Sequence, residues 1–345
     1  AADAAGVTRD GQQNSGALMG HDLATRAELV KLARALGMTP EEVAFAAVLP
    51  HTTIRTVREH AVATLYDEHR AAFQRVATIT RLLPTALNVR ITLRAFSPLL
   101  AARIAGEMPP DRAAELANRM PVEYLAEACT HLDPRRAAPL VRRVRKDRVL
   151  AVITELVTQG DFITLGRLLD SATEPIIREV APILPTEALL RIGFYAESDE
   201  QLTRAVALLP PDRLQAIVAG ALTGPPELGS AGLALIDRLT DNALRGELAN
   251  YAAGADDETL TTLLHTAIDE GAIVELLTAV TAMSENSQRR VLTLPALTEP
   301  HTLGHLVRTV EKHNLWTAVA PLITLMNDDL RRRVTAATAP PTNLE

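Results

Sequence analysis

Residues 96–155 decide the fold, because they divide into five rows of twelve: FSPLLAARIAGE, MPPDRAAELANR, MPVEYLAEACTH, LDPRRAAPLVRR and VRKDRVLAVITE. The first four rows carry proline at the second or third position (Pro98, Pro109, Pro110, Pro121 and Pro134). Proline lacks an N–H and has a fixed φ, so it suits the first turn of a helix and ends the helix before it. Each row therefore predicts one helix of about nine residues.

The apolar positions of these rows predict how the helices pack. The seventh position holds Ala102, Ala114, Ala126, Ala138 and Leu150, and the ninth and tenth positions are apolar as well. Helices this short are unstable alone in water, so neighbouring helices must cover their small apolar faces. Alanine at the contact allows a close approach. The pattern predicts an all-α fold, a right-handed α-solenoid or superhelix of short repeats with 12- and 24-residue units.

A longer period follows. Residues 259–291 align with 302–334 at an offset of 43, and residues 149–180 fit the same template at an offset of 111. Gly160 and Gly271 occupy the same turn position. Each unit reads as two helices of about three turns and one shorter helix, a size typical of HEAT-like repeats.

Composition excludes several classes of protein. The 345 residues are 47% hydrophobic and 22% charged, so the chain as a whole is not disordered. A net charge of −7 excludes a protein that coats nucleic acid along its whole surface. The longest apolar run, residues 43–49, is far shorter than a membrane span, and no secretion signal precedes it. We therefore expect a cytoplasmic protein without a membrane span.

The proline rows also carry a resemblance. The block from Leu83 to Val157, especially EMPPDRAAELANRMPVEYLAEACTHLDPRRAAPLV over residues 107–141, resembles the N-terminal superhelical domain of MgtE-type magnesium transporters. It is also similar to repeats of the flagellar motor switch protein. The resemblance implies a right-handed helical superhelix. It also implies one functional alternative, a divalent-cation sensing domain. No acidic cluster here matches that family residue for residue, so no metal ligand is transferred.

Residues 39–60, TPEEVAFAAVLPHTTIRTVREH, resemble the helix-turn-helix of small repressors. Thr39 and Glu42 form a capping box, which predicts a helix start. The resemblance would direct His51, Thr52, Arg55 and Arg58 toward the major groove of DNA. Val48 departs from the family, which favours glycine at this turn position. The alternative is a helical hairpin that caps the array, which a repeat protein also needs.

The run DPRRAAPLVRRVRKDR, residues 133–148, carries seven cations against two anions. We predict that it binds an anion: an acidic partner segment, a phosphorylated ligand or nucleic acid. The alternative is a solvated surface bridged to acids such as Asp111 on a neighbouring helix. The seven cationic residues are Arg135, Arg136, Arg142, Arg143, Arg145, Lys146 and Arg148.

His301 and His305, four residues apart, are the only candidates for a metal site that the sequence offers. No nucleotide-binding, P-loop or nucleophile motif is present, so we expect no cofactor and no enzymatic activity.

We therefore expect a scaffold that binds a protein or peptide partner along its groove, with a DNA-binding regulator as the first alternative. The predicted organisation is a flexible arm over 1–20, an N-terminal helical region over 21–82 that ends in one long helix, a repeat array over 83–337 and a tail over 338–345.

Overall fold

A computed structural model describes residues 22–338 of the chain. Within this range there are 22 α-helices, three short 3₁₀ helices and no β-strand. The all-α fold class predicted from the proline rows is therefore confirmed. The predicted arm over 1–20 lies outside the described residues, and so does the predicted tail over 338–345 apart from Thr338.

The chain divides into two compact units. Among the described residues, the first unit comprises 25–208, and the second comprises 22–24 and 209–338. The boundary falls inside the stretch 83–337, so the helices predicted to form one array are distributed over both units.

Thirteen helices precede residue 208. They are α1 (Leu23–Leu36), α2 (His51–Asp67), α3 (Arg70–Arg81), α4 (Thr85–Ala95), α5 (Pro98–Ala105), α6 (Pro110–Ala117), α7 (Val122–Thr130), α8 (Pro134–Val141), α9 (Lys146–Thr158), α10 (Phe162–Leu168), α11 (Glu174–Val180), α12 (Thr186–Phe194) and α13 (Asp199–Ala207). Helices α5 to α9 begin at residues 98, 110, 122, 134 and 146, which are twelve residues apart.

Proline sets these starts, as the rows predict. Pro98 follows the N-cap Ser97, whose hydroxyl accepts a hydrogen bond from the backbone N–H of Leu100 at 3.4 Å. Pro109 and Pro121 are themselves the N-cap residues of α6 and α7. From α3 to α9, each helix packs against the helix two positions further along the chain.

Ala126 lies at such a contact, in α7 opposite α9. It is completely buried in a cluster with Leu156, Leu165 and Ile176. We expect Ala126→Leu to lower the free energy of unfolding by roughly 1–3 kcal/mol, because the added atoms overpack this contact. Chemical denaturation measures the change, with the exposed Ala72→Leu as control. Equal stability of both variants and the parent would show that Ala126 has room around it.

Nine further helices form the second part of the chain. They are α14 (Pro211–Thr223), α15 (Pro226–Arg238), α16 (Asn242–Ala253), α17 (Asp257–Asp269), α18 (Ile273–Ala282), α19 (Glu285–Val291), α20 (Pro300–Lys312), α21 (Trp316–Leu325) and α22 (Asp328–Thr338). Helices α17, α18 and α19 begin with the same spacing as two other groups of three helices. The starts of α20 to α22 lie 43 residues later, and the starts of α9 to α11 lie 111 residues earlier.

The turn inside each of these three-helix groups has the same conformation. Gly160, Gly271 and Asn314 all have positive φ, at 72°, 71° and 54°. In each turn the next residue donates its N–H to the carbonyl five residues back, and for Asp161 and Leu156 this distance is 2.8 Å. This is the Schellman arrangement, which glycine and asparagine tolerate best.

The N-terminal region departs from prediction in two places. The long helix expected to follow His51 is two helices, α2 and α3, although no proline or glycine lies between them. Tyr66, next to the break, is buried, and its hydroxyl donates a hydrogen bond to the carbonyl of Arg103 at 3.1 Å. We infer that these tertiary contacts determine where the helix breaks.

The second departure concerns residues 39–50. Glu42 accepts a hydrogen bond from the Thr39 N–H at 2.7 Å, as the capping box predicts, but turns and a 3₁₀ helix (Ala44–Val48) follow. The first α-helix of a helix-turn-helix is therefore not formed over this stretch.

Candidate anion-binding site

The basic run spans α8 and the start of α9, and its cations point in different directions. Arg143 pairs with Asp111 at 2.5 Å, which is the bridge to a neighbouring helix expected for a solvated surface. Arg145 pairs with Asp147 at 2.7 Å, and Lys146 pairs with Glu179. These pairs neutralise part of the run.

The remaining members of the run differ from one another. The Arg148 guanidinium donates to the Met120 carbonyl, and the Arg142 side chain is exposed. Arg136 turns inward and donates to Glu107 at 2.5 Å. The side chain of Arg135 lies outside the described part of the structure. The run is therefore not one continuous face: among its members with a described side chain, only Arg136 lines a cleft.

That cleft lies in the first unit, where α2, α5, α8 and α10 meet, and we call it the arginine cleft. It is partly open to solvent and has a cavity volume of about 20 Å³. Three arginines and a histidine contribute to its walls. The lining residues are Val62, Tyr66, Ala102, Arg103, Gly106, His131, Leu132, Asp133, Arg136 and Arg167.

Tyr66 organises one wall of the arginine cleft. The guanidinium carbons of Arg136 and Arg103 lie 4.2 Å and 5.1 Å from the centre of its ring, within cation–π range. Its hydroxyl donates to Glu107 at 2.7 Å. Burial and this hydrogen bond raise the pKa of the Tyr66 phenol above its ordinary value, so it remains a neutral donor.

Glu107 compensates the charge of Arg136. Burial alone would raise the pKa of Glu107, but hydrogen bonds from Tyr66 and Gln74 and the charge of Arg136 hold it below its ordinary value. Asp133 adds a second carboxylate, 3.8 Å from the Arg136 Nε. Arg136 is therefore held in place by two acids.

Arg167 forms the opposite wall, and its charge is poorly compensated. Its side chain is 14% exposed, and its closest carboxylate oxygen, on Glu197, is 3.9 Å from Nε. Within residues 22–338 no group accepts a hydrogen bond from this Nε. Burial, followed by the charge of Arg58, lowers the pKa of Arg167 below its ordinary value.

Behind Arg167 lies the buried ion cluster, which we define as Glu28, Lys31, Arg55, Arg58 and Glu197. Glu28 is 2.6 Å from Lys31 and 3.1 Å from both Arg55 and Arg58. Glu197 is 2.8 Å from Arg58. Burial lowers the pKa of Lys31 despite both carboxylates, whereas the cations lower the pKa of Glu28 to about 2 against the effect of burial.

The cluster holds two of the four residues that the sequence directs toward DNA, Arg55 and Arg58. Arg58 is only 5% exposed, and Arg55 lies in the same network, 35% exposed. His51 is half-buried and Thr52 is exposed at the start of α2. Reading of DNA by these four residues stays a prediction, and Arg58 would have to leave two carboxylates to take part.

The predicted metal candidates lie in the second unit. The rings of His301 and His305, in the first turns of α20, are 4.5 Å apart between centres. Burial, followed by Arg308 and His301, lowers the pKa of His305. Across the described range, no group of three or more potential metal ligands lies together.

The sequence did not single out Tyr66, Arg103 or Arg167. Arg103 and Arg167 are 64 positions apart and stand outside any basic run. The only available signal was Arg136, which belongs to the run and does line the arginine cleft.

Comparisons of the chain with protein-family models, with curated proteins and with solved structures found no match in any of the three. Between residues 22 and 338, no single helix has both the length and the apolar character needed to cross a membrane. Within the same residues, only the consecutive helices α13 and α14 have this length and apolar character when the two are counted together.

Proposed function

We propose that the chain is a non-enzymatic scaffold, built as a right-handed α-solenoid, that binds a protein or peptide partner along its array. The recurrence of helix bounds at twelve and 43 residues carries this proposal. Helical units that pack against near neighbours extend into long surfaces, and such surfaces are typically used to bind partners. The resemblance to the MgtE-type superhelical domain agrees with this architecture.

The exposed part of the basic run indicates the chemistry of the partner. Arg142 is exposed and has no ion pair within the described residues. Arg143 pairs with Asp111, but this pair is exposed, with 44% and 82% of the side chains accessible. Exposed pairs contribute little stability, so a carboxylate of a partner can replace Asp111. An acidic segment of a protein partner suits this surface.

The alternatives have less support. Reading of DNA by Arg58 would require this buried side chain to leave Glu28 and Glu197, and the chain carries a net charge of −7. No arrangement of ligands among the described residues favours sensing of a divalent cation.

We expect the double variant Arg142→Glu and Arg143→Glu to fold normally and to capture less partner, because the reversed charges repel an acidic segment. The measurement is affinity capture from native lysate with partners identified by mass spectrometry, at low and high salt and with or without nuclease. The loss should be larger at low salt, where charges are less screened.

The double variant Arg331→Glu and Arg332→Glu, on exposed α22 side chains, is the charge-matched control. If the Arg142 and Arg143 variant captures as much partner as the parent, this surface does not bind the partner. The same conclusion follows if the control variant loses capture to the same extent. Capture that disappears with nuclease would favour the DNA-binding alternative.

A further inference from the structure

The charges around the arginine cleft do not balance. Arg136 is matched by Glu107 and Asp133. Arg103 packs on the Tyr66 ring, but its guanidinium has no hydrogen-bond acceptor among the described residues. The same holds for Arg167. Two of the three guanidinium groups therefore face the cleft with their hydrogen-bonding capacity unused.

The buried ion cluster compensates Arg167 through one carboxylate, that of Glu197, at 3.9 Å. The Oε2 of Glu197 contacts Arg58, Lys31 and Arg55. Its Oε1 accepts no hydrogen bond among the described residues and lies 3.9 Å from the Nε of Arg167, beyond hydrogen-bond distance. Glu28 is engaged by the same three cations. Two carboxylates thus contact four cations, while Asp133 and Asp199 act on Arg167 and Arg55 only from a longer distance. Weak compensation of a buried charge is unfavourable. An anion in the arginine cleft would relieve this excess.

His131 also lines the arginine cleft, and nearby charges act on its pKa. Burial lowers the pKa of His131, and the charges of Arg34, Arg103 and Arg167 lower it further, although Glu127 acts in the opposite direction. The histidine is therefore close enough to Arg103 and Arg167 for their charges to act on its pKa.

We propose that the arginine cleft is a binding site for a tetrahedral oxyanion of the phosphate class, held by Arg103 and Arg167. Guanidinium groups match phosphate oxygens in geometry and donate charge-assisted hydrogen bonds to them. Tyr66 and Glu107 fix Arg136 and so shape the wall. The cleft is partly open, so the anion can be free phosphate or the end of a phosphate monoester.

Calorimetric titration of the full chain tests this proposal, with inorganic phosphate and O-phosphoserine as separate probes at constant ionic strength. We expect a Kd on the order of 0.1–1 mM for at least one probe. Tighter binding of O-phosphoserine would identify an esterified ligand, whereas binding of inorganic phosphate alone would identify the free anion. Absence of binding for both probes at about 10 mM, ten times the highest expected Kd, would overturn the proposal.

Arg167→Met and Arg103→Met should each weaken binding by roughly tenfold or more. The second variant keeps the test valid if Arg167→Met fails to fold, since Arg103 is less buried. Arg332→Met removes an exposed arginine that lies outside the basic run and the arginine cleft, and it is the matched control. Equal affinity in the parent and both cleft variants would place the anion elsewhere and reject the site.

The NMR titration of His131 gives an independent readout. Phosphate in the cleft should raise the pKa of His131, because it offsets the positive potential of Arg103 and Arg167. The rise should be kept in Arg332→Met and lost in Arg103→Met. An unchanged pKa at saturating phosphate in the parent would contradict binding next to this residue.

Discussion

Glu28→Gln should lower the free energy of unfolding by roughly 3–5 kcal/mol, the loss typical when one partner of a buried ion pair is removed. Glu28 is 2% exposed and is the nearest carboxylate to Lys31. The amide keeps the shape of the side chain but leaves Lys31, Arg55 and Arg58 with only Glu197. Chemical denaturation at neutral pH measures the change, with the exposed Glu127→Gln as control.

The pH dependence of protein stability provides a second test of the buried ion cluster. The pKa of Glu28 in the folded protein is about 2, below its ordinary value of 4.5, so its charge stabilises the fold above pH 4.5. This contribution, roughly 3 kcal/mol, is lost as the pH falls toward 2. Glu28→Gln should lack this part of the acid sensitivity. A variant as stable as the parent at neutral pH would show that the cluster does not depend on Glu28.

Glu275→Gln should have the opposite effect and stabilise the protein at pH 8 by roughly 3 kcal/mol. Glu275 lies in α18, is 8% exposed, and its Oε2 has no hydrogen-bond partner among the described residues. Burial, followed by the charges of Asp237 and Asp22, raises the pKa of Glu275 to about 7.

The sign follows from proton uptake. Between pH 4.5 and about 7 the unfolded chain loses the proton of Glu275 and the folded chain retains it, so stability decreases as the pH rises. Glutamine imitates the protonated acid and removes this decrease. Parent and variant should be equally stable at pH 4.5 and diverge above it. The exposed Glu258→Gln should follow the parent at every pH, and a parent curve without this decrease would contradict the prediction.

Local signals explain which parts of the fold were predictable. Pro98, Pro109, Pro121 and Pro134 act within their own helical turns, so the sequence places the starts of α5 to α8 to within a residue or two. Gly160 and Gly271 likewise mark turns through a property of their own backbone. These features need no knowledge of distant residues.

The candidate site was not predictable for the opposite reason. Arg55 and Arg58 resemble surface residues of a recognition helix until Glu197, 139 positions after Arg58, is brought next to them. The arginine cleft takes Arg103, Arg136 and Arg167 from three different helices. The break between α2 and α3 depends on the contacts of Tyr66 with Arg103 and Glu107. Each of these arrangements exists only after the chain has folded.

The span of the buried ion cluster also sets an order of events during synthesis. Helices α5 and α7 begin 24 residues apart, so their contact can form soon after they leave the ribosome. Lys31 and Glu197 are separated by 166 positions. At about 5–20 residues per second, Lys31 waits roughly 10–30 s for Glu197 to be made. During this interval the buried ion cluster lacks one of its two carboxylates, so its ion pairs are complete only in the last stage of translation of the first unit.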